Sequence, residues 1–544
     1  MITCRKYLGE GLCQLSNQPL KQLRFLASPS AKPIGSESST TFEQEWQAAK
    51  PYAEVPTMGL LRMLRNFLPG GKFAKLDIAD MIMVIRTELG PISKMKGTFG
   101  RPDSVFTHSP QDIEKLLHNQ GIWPLRPGSE GLSYHRNNHR GEFFQGVEGL
   151  IASNGENWGS FRSTVNPILM QPKNVRLYLQ KMSTVGKELL NRILEIRDPN
   201  THEVPSNFEE ELNLWALESI SIVALDKKLG LLSKNRDNEE AKKLFKLITE
   251  FFTLSVDIEF KPPIWKYYKT KTFNRLMETL DGMTDISRKY VNEAIQRIEE
   301  DRSQGVPEKP ESEQSVLEKL IKIDKKIATV MAMDMLMAGV DTTTSTLTGI
   351  MLCLSKNPEK QAKLRQEIMQ VLPHKNSDFD ELAFNNLPYL RACIKESLRF
   401  YPLGFGNARI SVTDMVLSGY QVPKGTMVVV VNMSMLTNDE FYPQASEFLP
   451  ERWLRTHKDE TTVCGNLSTQ DLKPRNPFVY FPFGFGARSC IGRRIVEMEL
   501  ELAVARLVRN FHIEFNHSTE NAFKSLLIRV PNIPLKFKFT DVEK

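Results

Sequence analysis

The sequence predicts a mainly α, α+β architecture, and three observations carry that expectation. Apolar residues recur with a helical 3.6-residue period over most of the chain from Glu43 onward. Strand-like pieces are few and short. One helix candidate, from about Asp324 to Lys356, is apolar nearly all round at its centre and so belongs inside a core.

Taken in order, the periodic stretches fall at roughly 58–68, 109–119, 155–169, 174–196, 207–226, 238–254, 271–301, 315–356, 358–372, 387–399 and 491–510. The long candidate within 315–356 ends where Asn357-Pro358 forbids continuation. At 1.5 Å per residue it spans about 50 Å. The strand candidates are Ile92 to Thr98, Ser104 to Thr107, Thr426 to Val431, Leu526–Ile528 and Leu535–Phe539. Many helices with a small strand-rich portion make one large domain over 45–544. No linker-like composition divides the 544-residue chain after residue 50; the stretch Ser303 to Gln314 is loop-sized.

The first forty residues differ. They hold Arg5, Lys6, Lys21, Arg24 and Lys32 against Glu10 and Glu37, with serines at 16, 28, 30, 36, 38 and 39. No apolar run there reaches the ~20 residues needed to cross a bilayer. Basic, serine-rich and acid-poor is the composition of a mitochondrial transit peptide, so 1–40 is expected to be one, cleaved shortly after Arg24. Six cysteines, at 4, 13, 353, 393, 464 and 490, form no C-x-x-C pair and no disulfide framework, which fits a reducing compartment. A net charge of +6 permits an acidic partner or a membrane surface; no nucleic-acid partner is expected.

Phe483 to Gly492 is the most informative segment. Gly484 and Gly486 let the backbone turn tightly beside a bulky partner. The helix beginning at Ile491 aims its free N–H groups back at Cys490, and Arg488 adds a positive charge. Both favour the thiolate, which is the metal-ligating form. The segment resembles the haem-ligating loop of the cytochrome P-450 monooxygenases, F-x-x-G-x-R-x-C-x-G, at Phe483, Gly486, Arg488, Cys490 and Gly492. The resemblance implies haem b with Cys490 as proximal iron ligand.

Three further motifs occur in the order the family has them. Ala338-Gly339-Val340-Asp341-Thr342-Thr343 resembles its oxygen-activation motif. On that resemblance Asp341 relays protons from solvent, Thr342 is the alcohol at the oxygen site, and a kink in the helix opens a groove there. A helical threonine can instead bond back to the carbonyl four residues earlier. Glu396 and Arg399 lie at i, i+3 on one face, and Arg452 follows in Phe448-Leu449-Pro450-Glu451-Arg452-Trp453. The family builds a buried charge triad from these, so their expected role is structural. Trp158 and Arg162, at i, i+4, can face one anion. They resemble the family's W-x-x-x-R, which with Arg409 and Arg488 holds the haem propionates.

Cys490-Ile491-Gly492-Arg493-Arg494-Ile495-Val496-Glu497 resembles the mitochondrial form of the loop, with valine for the usual alanine. The overall wording resembles insect mitochondrial members. On this resemblance Arg391, Lys395 and Arg494 dock an adrenodoxin-like [2Fe–2S] ferredoxin fed by an NADPH-dependent reductase. Aromatics among lysines in Leu254 to Thr270 suit a peripheral contact with the inner membrane. The apolar segments Ile122–Val147, Phe251–Tyr268, Met333–Thr342, Leu403–Ala408 and Leu526–Ile533 imply a lipophilic substrate, xenobiotic or steroid. A partner-independent haem-thiolate isomerase or dehydratase would need no acid–alcohol pair. A haem-binding sensor would need neither that pair nor a basic docking face.

Overall fold

The computed structural model describes residues 39–97, 100–233, 238–455 and 470–542. The transit-peptide expectation for 1–40 and its cleavage after Arg24 therefore fall almost wholly outside the described residues, as do Thr98, Cys4, Cys13 and Cys464. Ser39–Ala48 is a helix in a unit of its own; the rest of the chain, from Ala49, is one compact unit.

The principal helices of that unit are α1 (Leu60–Phe67), α2 (Pro110–His118), α3 (Gly155–Leu169), α4 (Leu179–Ile196), α5 (Phe208–Ala224), α6 (Glu239–Phe260), α7 (Lys271–Ser303), α8 (Val316–Ile323), α9 (Lys325–Ser355), α10 (Pro358–Val371), α11 (Pro388–Phe400) and α12 (Arg493–Asn510). Four strands make the one larger sheet, in the order β1 (Ile92–Met95), β2 (Ser104–Thr107), β6 (Met427–Val430), β3 (Asn407–Ile410). β2 and β6 run parallel with Ser104 opposite Met427, and β3 is antiparallel to β6 with Arg409 opposite Val428. The remaining strands form three pairs: β4 (Met415–Leu417) with β5 (Tyr420–Val422), β7 (Phe511–Glu514) with β10 (Lys538–Asp541), and β8 (Phe523–Ser525) with β9 (Arg529–Pro531). The expected mainly α class is what the chain adopts.

The helix α9 runs through the main core. Val330, Met331, Met337, Val340 and Leu347 are each at most 1% exposed. The periodic stretch 315–356 is in fact two helices. Ser315 and Glu318 form a capping box that starts α8. Asp324 then turns extended, and its carboxylate accepts the N–H groups of Lys326 and Ile327 to start α9. The stretch 174–196 is likewise broken: Pro172–Arg176 is a short separate turn ahead of α4.

Two expectations failed for identifiable reasons. Ile78–Leu89 is a helix that the periodicity missed, because its apolar residues come in near-continuous runs rather than a stripe. The apolar run Leu526–Ile528 is the turn between β8 and β9, not a strand. Its leucines are half-buried at the tip, so their hydrophobicity reports an inward-facing loop.

Candidate haem-thiolate site

The loop before α12 is held by its own backbone. Gly484 and Gly486 have φ of +75° and +67°, where a side chain is strained. A Cβ on Gly486 would also stand 2.8 Å from Gln120 Nε2. Cys490 N–H donates to Phe483 O at 2.8 Å, closing the loop. Arg493 lies over the Phe483 ring, 5.4 Å from its centroid.

The sulfur meets two opposing influences. Burial among protein atoms raises the Cys490 thiol pKa, while the N–H groups of Gly492 and Arg493 and the charge of Arg162 draw it down. The helix N-terminus acts as expected, but the arginine that faces the sulfur is Arg162 rather than Arg488, and burial prevails. A thiol so placed becomes a thiolate when a cation supplies the missing positive charge. Cys490 is nevertheless accessible at its surface. Cys490 is thus enclosed by protein while part of the residue stays open to solvent. The long helix opens to a void. Ala338 is exposed and Gly339 and Thr342 half-exposed, between Met337 and Val340, which are 1% and 0% exposed.

Around this region four guanidiniums converge. Arg488 donates from Nε to Pro124 O at 2.9 Å and from Nη2 to Ser153 O and Asn154 Oδ1 at 3.0 and 2.8 Å. It lies 3.9 Å from the Trp158 ring centroid. Arg409, on β3, donates to Gln120 Oε1 at 2.7 Å and is 2% exposed. Arg162 sits 6.0 Å from the Trp158 ring. The fourth, Arg126, donates from Nη2 to Ile151 O at 3.0 Å. Burial and the repulsion of Arg126, Arg409 and Arg162 push Arg488 down to about 9. Burial and Arg126 push Arg409 down to about 10. Among the described residues no carboxylate lies within ion-pair distance of any of the four, although Asp334 stabilises the Arg126 charge from further off. Arg409 is buried and the other three are half-buried, and a buried charge without an anion is costly. The cluster therefore suits a ligand carrying carboxylates of its own, and a porphyrin has two. An accessible thiol, a void and an uncompensated cationic rim together fit haem b.

Sequence reasoning missed Arg126, Gln120 and Asn154. Gln120 supports both the Gly486 turn and Arg409, and Asn154 Oδ1 accepts from Arg126 N–H at 2.8 Å as well as from Arg488. None belongs to a spaced motif, so only the fold reveals them. Gly159 has a steric role: a Cβ there would meet the Trp123 ring at 2.3 Å.

On α9, Thr342 Oγ1 donates to Ala338 O at 2.6 Å, the back-bonding alternative, and the helix is unbroken from Lys325 to Ser355. Asp341 is 9% exposed, makes no hydrogen bond among the described residues, and is pushed up to about 6 by burial. Its carboxyl can thus hold or release a proton near neutral pH.

Behind the loop, Glu396, Arg399 and Arg452 are each at most 1% exposed and form one cluster. Glu396 Oε1 accepts from Arg399 Nη2 at 2.8 Å, Arg452 Nε at 2.9 Å and Leu449 N–H at 3.0 Å. Its Oε2 accepts from Arg399 Nε at 3.1 Å and Trp453 Nε1 at 2.7 Å. The remaining guanidinium N–H groups hold carbonyls of Leu436, Ala445, Glu447, Pro443, Leu472 and Gln444. Every lone pair of the carboxylate is used, which is the condition for burying charge.

The basic residues at α11 and α12 divide. Lys395 and Arg494 are exposed. Arg391 is instead engaged internally: its Nε is 3.0 Å from both Glu501 oxygens, and its Nη atoms hold Phe384 O and Asn385 O. Arg391 is a helix-to-helix fastener here rather than a free docking charge. In the 254–270 segment, Trp265 is buried against Phe273 at 4.9 Å, while Phe260, Ile264, Tyr267 and Tyr268 are exposed.

Comparison with known proteins agrees with this geometry. Residues 62–539 match the family model described as Cytochrome P-450. The chain is 62% identical over 506 residues to cytochrome P-450 CYP12A2 of Musca domestica, covering 93% of this chain and 94% of that protein. It is 56% identical over 501 residues to the probable cytochrome P-450 12a5, mitochondrial, of Drosophila melanogaster, covering 92% and 93%. It is 45% identical over 511 residues to the probable cytochrome P-450 12c1, mitochondrial, of the same species, covering 94% and 96%.

Proposed function

The chain belongs to the cytochrome P-450 family of haem monooxygenases, and from that premise we propose that it is a mitochondrial hydroxylase of a lipophilic small molecule, supplied with electrons by an adrenodoxin-like [2Fe–2S] ferredoxin. The observation that carries the reading is the void bordered by Ala338 and Thr342 on the long helix, together with the accessible Cys490.

When bound, haem supplies dioxygen activation and oxygen insertion, and a thiolate ligand favours O–O cleavage. The chain supplies the rest. Cys490 gives the ligand. Arg126, Arg162, Arg409 and Arg488, with Trp158 beneath Arg488, would hold the propionates; Phe483 and the glycine turn fix the loop. Asp341 would take protons from the solvent side, and Thr342, whose hydroxyl donates to Ala338 O, keeps its oxygen lone pairs free to accept. Glu396, Arg399 and Arg452 brace the approach to the cysteine loop. The segments 403–408 and 526–533 meet through Arg529 N–H and Leu403 O at 2.7 Å and line the substrate side with largely apolar residues.

Lys395 and Arg494 supply the docking charges for an acidic ferredoxin, with Arg391 positioning α11 against α12 through Glu501. The name "mitochondrial" borne by the Drosophila relatives, and the basic, serine-rich first forty residues, support import. No helix among the described residues is long and apolar enough to cross a membrane. Exposed Leu61, Leu64, Phe67 and Leu68 on and after α1, with Tyr267 and Tyr268, support peripheral contact with the inner membrane. Reconstitution with ferredoxin, its reductase and NADPH tests the proposal. Oxygen insertion into members of a steroid and xenobiotic panel is expected; turnover only with a lipid hydroperoxide would overturn it.

A further inference from the structure

The hairpin of β8 and β9 places Ser525 directly opposite Arg529, across the turn Leu526–Ile528. Directly opposed residues of an antiparallel pair share a face, so both side chains lie on the face that carries Phe523 and Pro531. That face is turned inward. Phe523, Ser525 and Pro531 are buried, while Lys524 on the opposite face is exposed. The Phe523 ring packs on Tyr401 at 5.0 Å between centroids, and the Arg529 guanidinium lies 5.6 Å from the same Phe523 ring. β9 packs against α9, and Arg529 N–H donates to Leu403 O at 2.7 Å. The pair therefore stands where the two apolar segments 403–408 and 526–533 meet.

Both side chains end in a buried polar group without a partner. Ser525 is 6% exposed, and its Oγ makes no hydrogen bond among the described residues. Arg529 Nε is buried and likewise unpartnered. Such groups are costly to leave unsatisfied, which points to a use for them. The neighbouring carboxylate is committed elsewhere. Asp77 Oδ1 accepts Asp80 N–H at 2.9 Å and caps the helix Ile78–Leu89, and Asp77 Oδ2 accepts Ser525 N–H at 2.6 Å. Burial lowers the Arg529 pKa, and the charges of Asp77 and Asp80 oppose that fall from beyond ion-pair distance.

Charge decides what these donors take. Two donors on one face suit one oxygen with two lone pairs. The single guanidinium already stands among two carboxylates, so an anionic ligand adds repulsion. An amine brings donors where donors already stand. A neutral carbonyl oxygen satisfies both groups and leaves the charge balance as it is.

We propose that Ser525 and Arg529 form a polar subsite that holds a neutral carbonyl oxygen of the lipophilic substrate and so fixes which carbon is presented for oxygen insertion. This rests on the haem monooxygenase reading and narrows its substrates to apolar bodies bearing a ketone, ester or amide carbonyl. A hydrocarbon of the same shape leaves both donors unmet on binding, which is how such a subsite discriminates.

The test uses haem-loaded full-length protein and imidazoles carrying a straight chain on one nitrogen. The other ring nitrogen ligates the iron and shifts its absorption. One series ends in a methyl ketone, a second in a plain alkyl group and a third in a carboxylate, each over a range of chain lengths. The iron anchors one end, so chain length measures the reach to the subsite. At a particular length the ketone is expected to bind about tenfold tighter than the alkyl chain, and the carboxylate no tighter than the alkyl chain. Arg529→Met is expected to abolish the ketone advantage, and Ser525→Ala to reduce it by about threefold, with alkyl binding unchanged in both. Ser525→Ala decides the matter should Arg529→Met not be recovered with haem. A ketone advantage absent at every length, retained in Arg529→Met, unmoved in Ser525→Ala, or surpassed by the carboxylate would each overturn the proposal. The alkyl series separates the two readings: without any iron-linked shift the haem site itself fails, and the subsite with it, whereas a normal shift with no ketone advantage sinks the subsite alone.

Discussion

Replacing Glu396 by glutamine keeps the shape of the side chain and removes its charge and one acceptor. In the structure Oε1 receives three N–H donors and Oε2 two. The best placement of the amide keeps its oxygen at the Oε1 position. Its NH2 then opposes Arg399 Nε–H and Trp453 Nε1–H, leaving two donors unsatisfied. Each such loss costs about 1–3 kcal/mol. The same change leaves two fully buried guanidiniums without their anion, a cost of roughly 3–5 kcal/mol that overlaps with the first. Against a total stability of about 5–15 kcal/mol this is a large fraction. Glu396→Gln is expected to melt about 3–5 °C below wild type and to be recovered with little haem. Glu396→Ala should yield no haem-loaded protein at all. Thermal unfolding followed by circular dichroism, with haem content per chain, reads both. A Glu396→Gln protein with full haem content and wild-type melting would refute the claim that the triad braces the loop.

Asp341 gives a pH-dependent outcome. Burial raises its carboxyl from 3.8 to about 6, so the folded state binds the proton more tightly than the unfolded chain. Stability from this group is full below about pH 4, is lost as pH rises through 6, and is flat beyond. Asp341→Asn should therefore gain up to about 3 kcal/mol over wild type above pH 6.5 and nothing at pH 4, while its product formed per NADPH falls; a stability difference independent of pH would contradict the burial argument. Lys395→Glu and Arg494→Glu should weaken ferredoxin-dependent reduction strongly while sparing azole binding. Arg391→Lys should instead lower thermal stability, through the lost bidentate bond to Glu501, more than it affects electron transfer. Gly159→Ala should reduce haem occupancy, since its methyl group would collide with the Trp123 ring; normal haem content would refute the packing argument.

Much of this site is written locally. The turn at Gly484 and Gly486, the cysteine before a helix, and Glu396–Arg399 on one face all follow from spacing along the chain. What was not legible comes from contacts between distant segments. Arg126, Gln120 and Asn154 belong to no motif, and their roles arise only when residues 120–126, 151–154, 409 and 488 converge. The same holds for Arg391, whose spacing with Lys395 suggests an open basic face until Glu501 of α12 is seen against it. Asp334 could be recognised as an odd carboxylate within an apolar helix, but its partner Arg136 is 198 residues away. Helix ends were readable where capping residues stand, as at Asn357-Pro358. The start of α9 at Asp324 was readable as well, but the separate short helix Val316–Ile323 ahead of it was not.

The central claim is that Cys490 supplies a thiolate to the haem iron. The carbon monoxide difference spectrum of the reduced protein tests it most directly, compared between wild type and Cys490→Ser. Wild type is expected to give the red-shifted band that a thiolate ligand produces, and Cys490→Ser to lose both that band and hydroxylation. Retention of both in Cys490→Ser would contradict the assignment.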